Sequence, residues 1–366
     1  MSGFQSEGSV TGRVYLDWNA SAPLRPEARE ALVAALDVVG NPSSVHAEGR
    51  AAKAVVERAR EQVAVAVGAK PREVVFTSGA TEAAGILRQV FPHGAVCVDD
   101  IAHDALWSHF DLTHAESGAN VLAMGLANSE TGAITEPPQR DADGFFPYGA
   151  RRCSSLLLDV TQVVGRIPWA FAWSEASLAV LSAHKLGGPK GVGALIVREG
   201  LDIEPLSLGG GQELGRRSGT ENVAGIAGFG AAIEAAMRDL DAGRWRAVAA
   251  LRDRMEAGIA DAAPETIFVG RDGARLPNTA CFVTPGWKGE TQVMQMDLAG
   301  FAVSAGSACS SGKVKASRVL TAMGYDDVAA ASGLRVSLGP ETRPEDVDRF
   351  TEVWAAAHAR FRARAA

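Results

Sequence analysis

The chain has 366 residues, and 36 Lys and Arg against 43 Asp and Glu give a formal net charge of −7, which argues against a nucleic-acid binder of the basic-stripe kind. Hydrophobic residues at 47% and charged residues at 22% are the balance of a globular protein with a large core, and the length suggests about two domains. No apolar run reaches the about 18 residues a membrane span needs, and MSGFQSEGSVTG at the start has neither the basic head nor the apolar stretch of a secretory signal, so the expected compartment is the cytoplasm.

In chain order, the strand VYLD leads to a helix over residues 24–39, with Leu24, Ala28, Leu32, Leu36 and Val39 as its apolar stripe. A second helix runs from Ala51 to Val67 and closes at Gly68. The β-branched run Val74 to Thr77 then turns through Ser78-Gly79 into a helix from Ala80 to Val90. Short strands follow at AVCVDD, NVLAMG, SSLLLDV and SLAVLSA, with a hairpin arm at GVGALIV. Residues 131–153, rich in Pro, Gly and charge, read as a long loop. From about residue 241 a charged helix (244–262), the strands ACFVTP, FAVSAG and LRVSLG, and a last helix from Pro344 suggest a second, α+β unit. Alternating strands and helices argue for an α/β fold with a mostly parallel sheet.

Few residues carry chemistry by local pattern alone. SGATEA (78–83) ends a strand and opens a helix, a place that suits an anion such as phosphate, although a plain connecting turn has the same form. GSACSSGKV fails the spacing of a nucleotide P-loop, and GGGQELG lacks the order of a dinucleotide fingerprint. His103, His109 and His114 among Asp99, Asp100, Asp104 and Asp111 lack a shared helix face, so no metal site is expected. Lys185 ends an apolar strand before Gly187-Gly188-Pro189; it could be a Schiff-base nucleophile or a lysine snorkelling to solvent. Of the four cysteines, Cys97, Cys153 and Cys281 sit in or beside strand-like runs, whereas Cys309 lies in a Ser/Ala/Gly loop.

SGATEA, DVTQ (159–162), SAHKLGGPKGVGA, RRSGTEN (216–222) and SAGSACSS (304–311) occur in this order, with YLDWNASAPLRPEA and GNPSSVHAEGR before them and LRVSLGPET after. Together they resemble the pyridoxal phosphate (PLP) dependent cysteine desulfurases of the class V aminotransferase superfamily, of the nitrogenase and iron-sulfur type. The resemblance implies fold type I, with a large cofactor domain over 17–240 and a small domain of 1–16 plus 241–366 that carries the cysteine loop. It implies Lys185 as the cofactor lysine, Asp159 on the pyridinium nitrogen, and Gln162 beside the ring hydroxyl. Ala80, Thr81, Ser182 and His184 would form the phosphate cup, and His103 would lie on the ring and move protons. Thr220 would reach the phosphate of a second subunit, Arg335 would clamp the substrate carboxylate, and Cys309 would take sulfur from L-cysteine as a persulfide. The implied protein is a homodimer that converts L-cysteine to L-alanine and hands sulfur to an acceptor protein such as an iron-sulfur scaffold. Another class V enzyme (an aminotransferase or selenocysteine lyase), or a degenerate paralog acting as a binding partner, stays open.

Two features depart from the family pattern. Asn128-Ser129-Glu130-Thr131-Gly132 has serine where a second asparagine would approach the ring hydroxyl, leaving Ser129 or Asn128 for that contact. Only 26 positions separate His103 from Ser129, a shortened interval with room for one short helix, Asp104 to His114, so the face beside the site should be thinly covered.

Overall fold

The computed structural model describes residues 12–91, 94–113, 120–306 and 316–365. The first part of the chain contains β1 (Val14–Tyr15), α1 (Pro26–Leu36), α2 (Ala47–Val67), β2 (Val74–Thr77), α3 (Ala80–Ala84), α4 (Leu87–Val90), β3 (Val96–Val98), α5 (Asp104–Trp107) and β4 (Val121–Gly125). There follow β5 (Phe146–Tyr148), β6 (Arg151–Cys153), β7 (Ser155–Asp159), β8 (Leu178–Ser182), β9 (Gly193–Val197) and α6 (Val223–Asp241). The last part holds α7 (Arg244–Ala262), β10 (Ile267–Phe268), β11 (Thr279–Val283), α8 (Gly289–Leu298), β12 (Phe301–Ala302) and β13 (Ser304–Ala305). It ends with α9 (Arg318–Ala322), α10 (Asp327–Ala330), β14 (Gly333–Ser337) and α11 (Pro344–Ala365).

Six strands form the main sheet in the order β2-β9-β8-β7-β4-β3, parallel along β8-β7-β4-β3, with β9 antiparallel to both neighbours. Alternation along each strand sorts side chains to two buried faces. Phe76, Cys97, Leu122, Leu156, Leu158, Ala179 and Ile196 face a core shared with α1, α2 and α6. Val75, Val96, Val98, Val121, Leu157, Val180 and Leu195 face a second one under α3, α4 and α5. Covering both faces is what lets nearly every strand residue be apolar. A separate core joins Leu16 to Trp245, Phe282, Phe301, Val336 and Trp354 around the small sheet β10-β11-β14-β13, while β1 pairs with β12. We propose 17–240 and 1–16 plus 241–366 as two domains, a division these separate cores support.

Three expectations need correction. The stripe read over residues 24–39 is only partly right: Ala28 is buried as expected, but Leu24, Leu36 and Val39 are exposed, and Ala35, outside the stripe, is buried. The reason is close packing, because Gly228 of α6 lies against the Ala28 carbonyl, where only small residues fit. The helix expected over Ala80 to Val90 divides at Gly85, where bonds from Gly85 to Glu82 and from Ile86 to Ala83 tighten the turn. The stretch 131–153 is not wholly loop. It ends in the antiparallel hairpin β5-β6, which buries Phe146 and Cys153 and donates a hydrogen bond from Tyr148 to the Val98 carbonyl at 3.1 Å.

Among the described residues of the shortened interval after His103 there is a helix of four residues, Asp104–Trp107; His114 lies outside the described residues. Trp107 stacks on Phe110 at 5.1 Å, and Arg318 of α9 covers the Trp107 ring and donates to the carbonyls of Asp100 and Ala102.

Glu130 forms a second link to the small sheet. It is buried, accepts from Ser317 Oγ at 2.9 Å, and packs against Gly306, where any Cβ would collide with its carboxyl. Its Oε1 is buried with no hydrogen-bond partner among the described residues, and burial raises its pKa against the opposing effects of Ser317, Arg335 and Arg318. Because the folded pKa lies above the unfolded one, its protonated form contributes stability at low pH that is lost as pH rises through the folded pKa. Glu130→Gln should therefore gain urea resistance relative to the native chain between pH 5 and pH 8. A difference in midpoint that is the same at both pH values would contradict this.

Candidate active site

The carboxyl ends of the parallel strands open into one cavity of about 510 Å³, where ligands of open α/β sheets bind. Ser78 to Glu82 after β2, Asn128 and Ser129 after β4, Asp159 and Gln162 at and after β7, and Ser182 to Lys185 after β8 meet there, joined by His103. Of the residues singled out from sequence, Ala80, Thr81, His103, Ser129, Asp159, Gln162, Ser182, His184 and Lys185 all line this wall.

Lys185 leaves β8 on a tight turn, and its Nζ donates to the carbonyls of Asn19 at 2.7 Å and Ala20 at 3.1 Å. Both acceptors are backbone carbonyls of the segment that precedes α1. His184 beside it is pushed down to about 4, first by burial and then by Lys185 and Lys190, so it is neutral at ordinary pH; its Nδ1 lies 3.2 Å from Ser21 Oγ. Asp159 accepts from the Thr161 amide at 2.9 Å, which fixes the carboxylate at the mouth of β7. His103 is the N-cap of α5 and accepts from the Ala105 amide through Nδ1 at 3.1 Å, which puts the neutral ring's proton on Nε2.

The choice between Asn128 and Ser129 has a geometric basis. Asn128 Oδ1 accepts from the amides of Glu130 (2.9 Å) and Thr131 (2.8 Å), and its Nδ2 donates to the Ile101 carbonyl at 2.7 Å, so the side chain is consumed by the turn. Ser129 lines the cavity without such a commitment, while its carbonyl accepts from Asn19 Nδ2 at 3.1 Å and Arg335 at 3.1 Å.

Thr220 and Arg335 are not part of this wall. Arg335 lies behind Ser129, paired with Asp17 at 2.7 Å, and its Nε is buried without a partner among the described residues. Thr220 is exposed, in a loop shaped by Glu213 and Leu214, both with positive φ (51° and 58°). That conformation is costly for L residues. It is held by buried Glu213, which accepts two 2.8 Å bonds from Arg60 and one of 2.7 Å from the Phe76 amide. Arg217 of the same loop pairs at 3.0 Å with Glu82 on the cavity rim. Cys309 lies outside the described residues. Sequence reasoning missed Asn19 and Arg166, both buried beneath the site. Asn19 stood in a quoted motif, but its use of backbone and side chain together leaves no periodic signal.

The residues present fit PLP. An amine suits its aldehyde, the Asp159 carboxylate its ring nitrogen, and the hydroxyls of Thr81 and Ser182 with the neutral His184 its phosphate, in a cavity within the usual range for small ligands. Among the described residues, no group of three or more His, Cys, Asp or Glu could hold a metal ion, and no helix is long and apolar enough to cross a membrane.

The model of the aminotransferase class-V family matches residues 14–146 and 113–350. A cysteine desulfurase of Cereibacter sphaeroides is 36% identical, over 93% of this chain and 94% of its own. The structure of a NifS-like protein from Rickettsia africae superposes with a TM-score of 0.81 at 28% identity, covering 95% of this chain and 99% of that one. A structure of SspA in complex with cysteine superposes with a TM-score of 0.69 at 25% identity, covering 90% and 99%. These matches run over nearly the whole chain, and the chain belongs to the cysteine desulfurase family of PLP-dependent class-V aminotransferases.

Proposed function

We propose that this protein is a cysteine desulfurase, and the observation that carries the reading is the convergence of Lys185, Asp159 and Gln162 on one cavity at the strand ends. Bound PLP supplies an electron sink that weakens bonds around the α carbon of an amino acid. Lys185 carries the cofactor and moves the proton at that carbon. With PLP bound, Asp159 would pair with the ring nitrogen, Gln162 and Ser129 would face the ring hydroxyl, His103 would transfer protons beside the ring, and Ala80, Thr81, Ser182 and His184 would hold the phosphate. Arg335, the family's clamp for the carboxylate of L-cysteine, would turn from its pair with Asp17 behind Ser129 to reach that carboxylate. The Cys309 thiolate attacks the sulfur of the substrate. The electron pair of the broken carbon–sulfur bond stays with the carbon skeleton, which takes up a proton and leaves as alanine, and Cys309 retains the sulfur as a persulfide. The persulfide is then passed to an acceptor protein, with an iron-sulfur scaffold the reading the family relation favours.

Cys309→Ser should retain the PLP spectrum and lose alanine formation from L-cysteine, while borohydride reduction of either protein should fix the cofactor to Lys185. Alanine release at the original rate by the serine variant would exclude Cys309 as acceptor and favour a lyase without a persulfide.

The active site is completed by a second copy of the chain. Exposed Val33, Leu36, Val39 and Val45 along α1 and the following loop offer an apolar surface, and Thr220 is exposed away from its own chain's cavity. Sedimentation should show a dimer, and Thr220→Ala should weaken PLP retention by about 1.5 to 3 kcal/mol, the worth of a hydrogen bond to a charged group. A fully active monomer would contradict this.

A further inference from the structure

Arg166 follows the left-handed Gly165 (φ +76°) and is only 3% exposed. Its NH1 donates to Asn19 Oδ1 at 2.8 Å and to Gln162 Oε1, its NH2 donates to the Lys185 carbonyl at 2.9 Å, and the guanidinium lies 5.9 Å from the Trp245 ring. Every one of these acceptors is neutral. Among the described residues Arg166 forms no ion pair, whereas the buried Arg60 has Glu213 and the nearby Arg335 has Asp17. Burial first and the nearby Arg335 second lower the Arg166 pKa to about 9, so the group stays largely protonated at pH 7 to 8. A buried cation without a counter-charge costs several kcal/mol unless something else compensates it.

We propose that Arg166 is a positioning residue for PLP: it fixes the amide of Gln162 as a donor toward the cavity and supplies the positive charge that favours a deprotonated ring oxygen there. The inference rests on the reading of Gln162 and Lys185 as cofactor contacts. A guanidinium only donates, so Gln162 must turn its oxygen to Arg166. The Gln162 amine then gives one N–H to the Asn19 carbonyl at 3.0 Å and keeps the other for an acceptor at the cavity wall that Gln162 lines. The same guanidinium grips the Lys185 carbonyl and the Asn19 side chain, while the Asn19 carbonyl takes the Lys185 amine. One cation thus sets the cavity-facing donor and both ends of the lysine that carries the cofactor. The other titratable groups on the elements packed here are Lys185 and the neutral His184 on the turn after β8, Asp159 on β7, and Arg335 with Asp17; of these, Asp159 and Asp17 are the acids.

The test is the pH dependence of the visible band of bound PLP, together with PLP retention, in the native chain and in Arg166→Met and Arg166→Lys. Loss of the cation should raise the midpoint for protonation of the lysine–cofactor link, so Arg166→Met should shift it upward by about one pH unit and retain PLP about tenfold less well. Arg166→Lys keeps the charge but cannot fork among Asn19, Gln162 and Lys185; it should hold the midpoint and still lose PLP more readily. A folded Arg166→Met protein with the native midpoint overturns the charge role. A lysine variant with native retention overturns the positioning role, and does so even should the methionine variant fail to fold. A native protein that takes up no PLP would instead defeat the cofactor reading itself, with colourless protein as its separate sign.

Discussion

Asn19 is the point on which the two halves of the structure depend. Fully buried, it donates its side-chain amide to the Ser129 carbonyl and to Thr279 Oγ1, accepts on Oδ1 from Arg166 and Asn278, donates its backbone amide to Ser337 Oγ, and accepts on its carbonyl from Lys185 and Gln162. Thr279, Asn278 and Ser337 belong to the small sheet or its borders; Ser129, Gln162, Arg166 and Lys185 belong to the cavity side. A single residue thereby fixes the reactive amine relative to the strands that carry Arg335. Each of these groups would cost about 1 to 3 kcal/mol if buried without a partner, so the network is satisfied as a whole or fails as a whole.

Charge is distributed around that hub with little redundancy. The amine of Lys185 donates to the carbonyls of Asn19 and Ala20, His184 is kept neutral by burial and by the lysines beside it, and Asp159 lines the same cavity. Such a site has room for an anionic, aldehyde-bearing ligand with a basic ring nitrogen, and the fold presents it where the parallel strands end, the ordinary binding edge of an open α/β sheet. Rigidity comes from elsewhere: the strained Glu213-Leu214 turn is locked by Arg60, and Glu130 joins the loop after β4 to Ser317.

Much of this was legible from sequence because local signals agreed with packing. Gly68 closes α2 in the left-handed conformation, the charged stretch 244–262 is α7, and Pro344 opens the last helix. The helix α6 was not read at all. Gly225, Gly228 and Gly230 argue against a helix by propensity, yet they are what allows α6 to lie on α1 and α2: a Cβ at Gly230 would come within 2.8 Å of the Ala59 backbone. The same close packing misled the reading of α1, where alanines and not leucines face inward. The cavity residues were recognisable as an ordered set of motifs, whereas Arg166 was not, since its role arises from burial and from the absence of an acidic neighbour, neither of which a linear pattern displays.

The central claim is that one cavity, with Lys185 at its base, converts L-cysteine by moving sulfur onto Cys309. A single-turnover experiment on the purified PLP-loaded protein, quantifying alanine and the mass of the Cys309 peptide under non-reducing conditions, tests it most directly. The account predicts alanine and a one-sulfur increase on that peptide in equal amounts per site. Alanine formed with no added mass at Cys309, or sulfur on another cysteine, would contradict it.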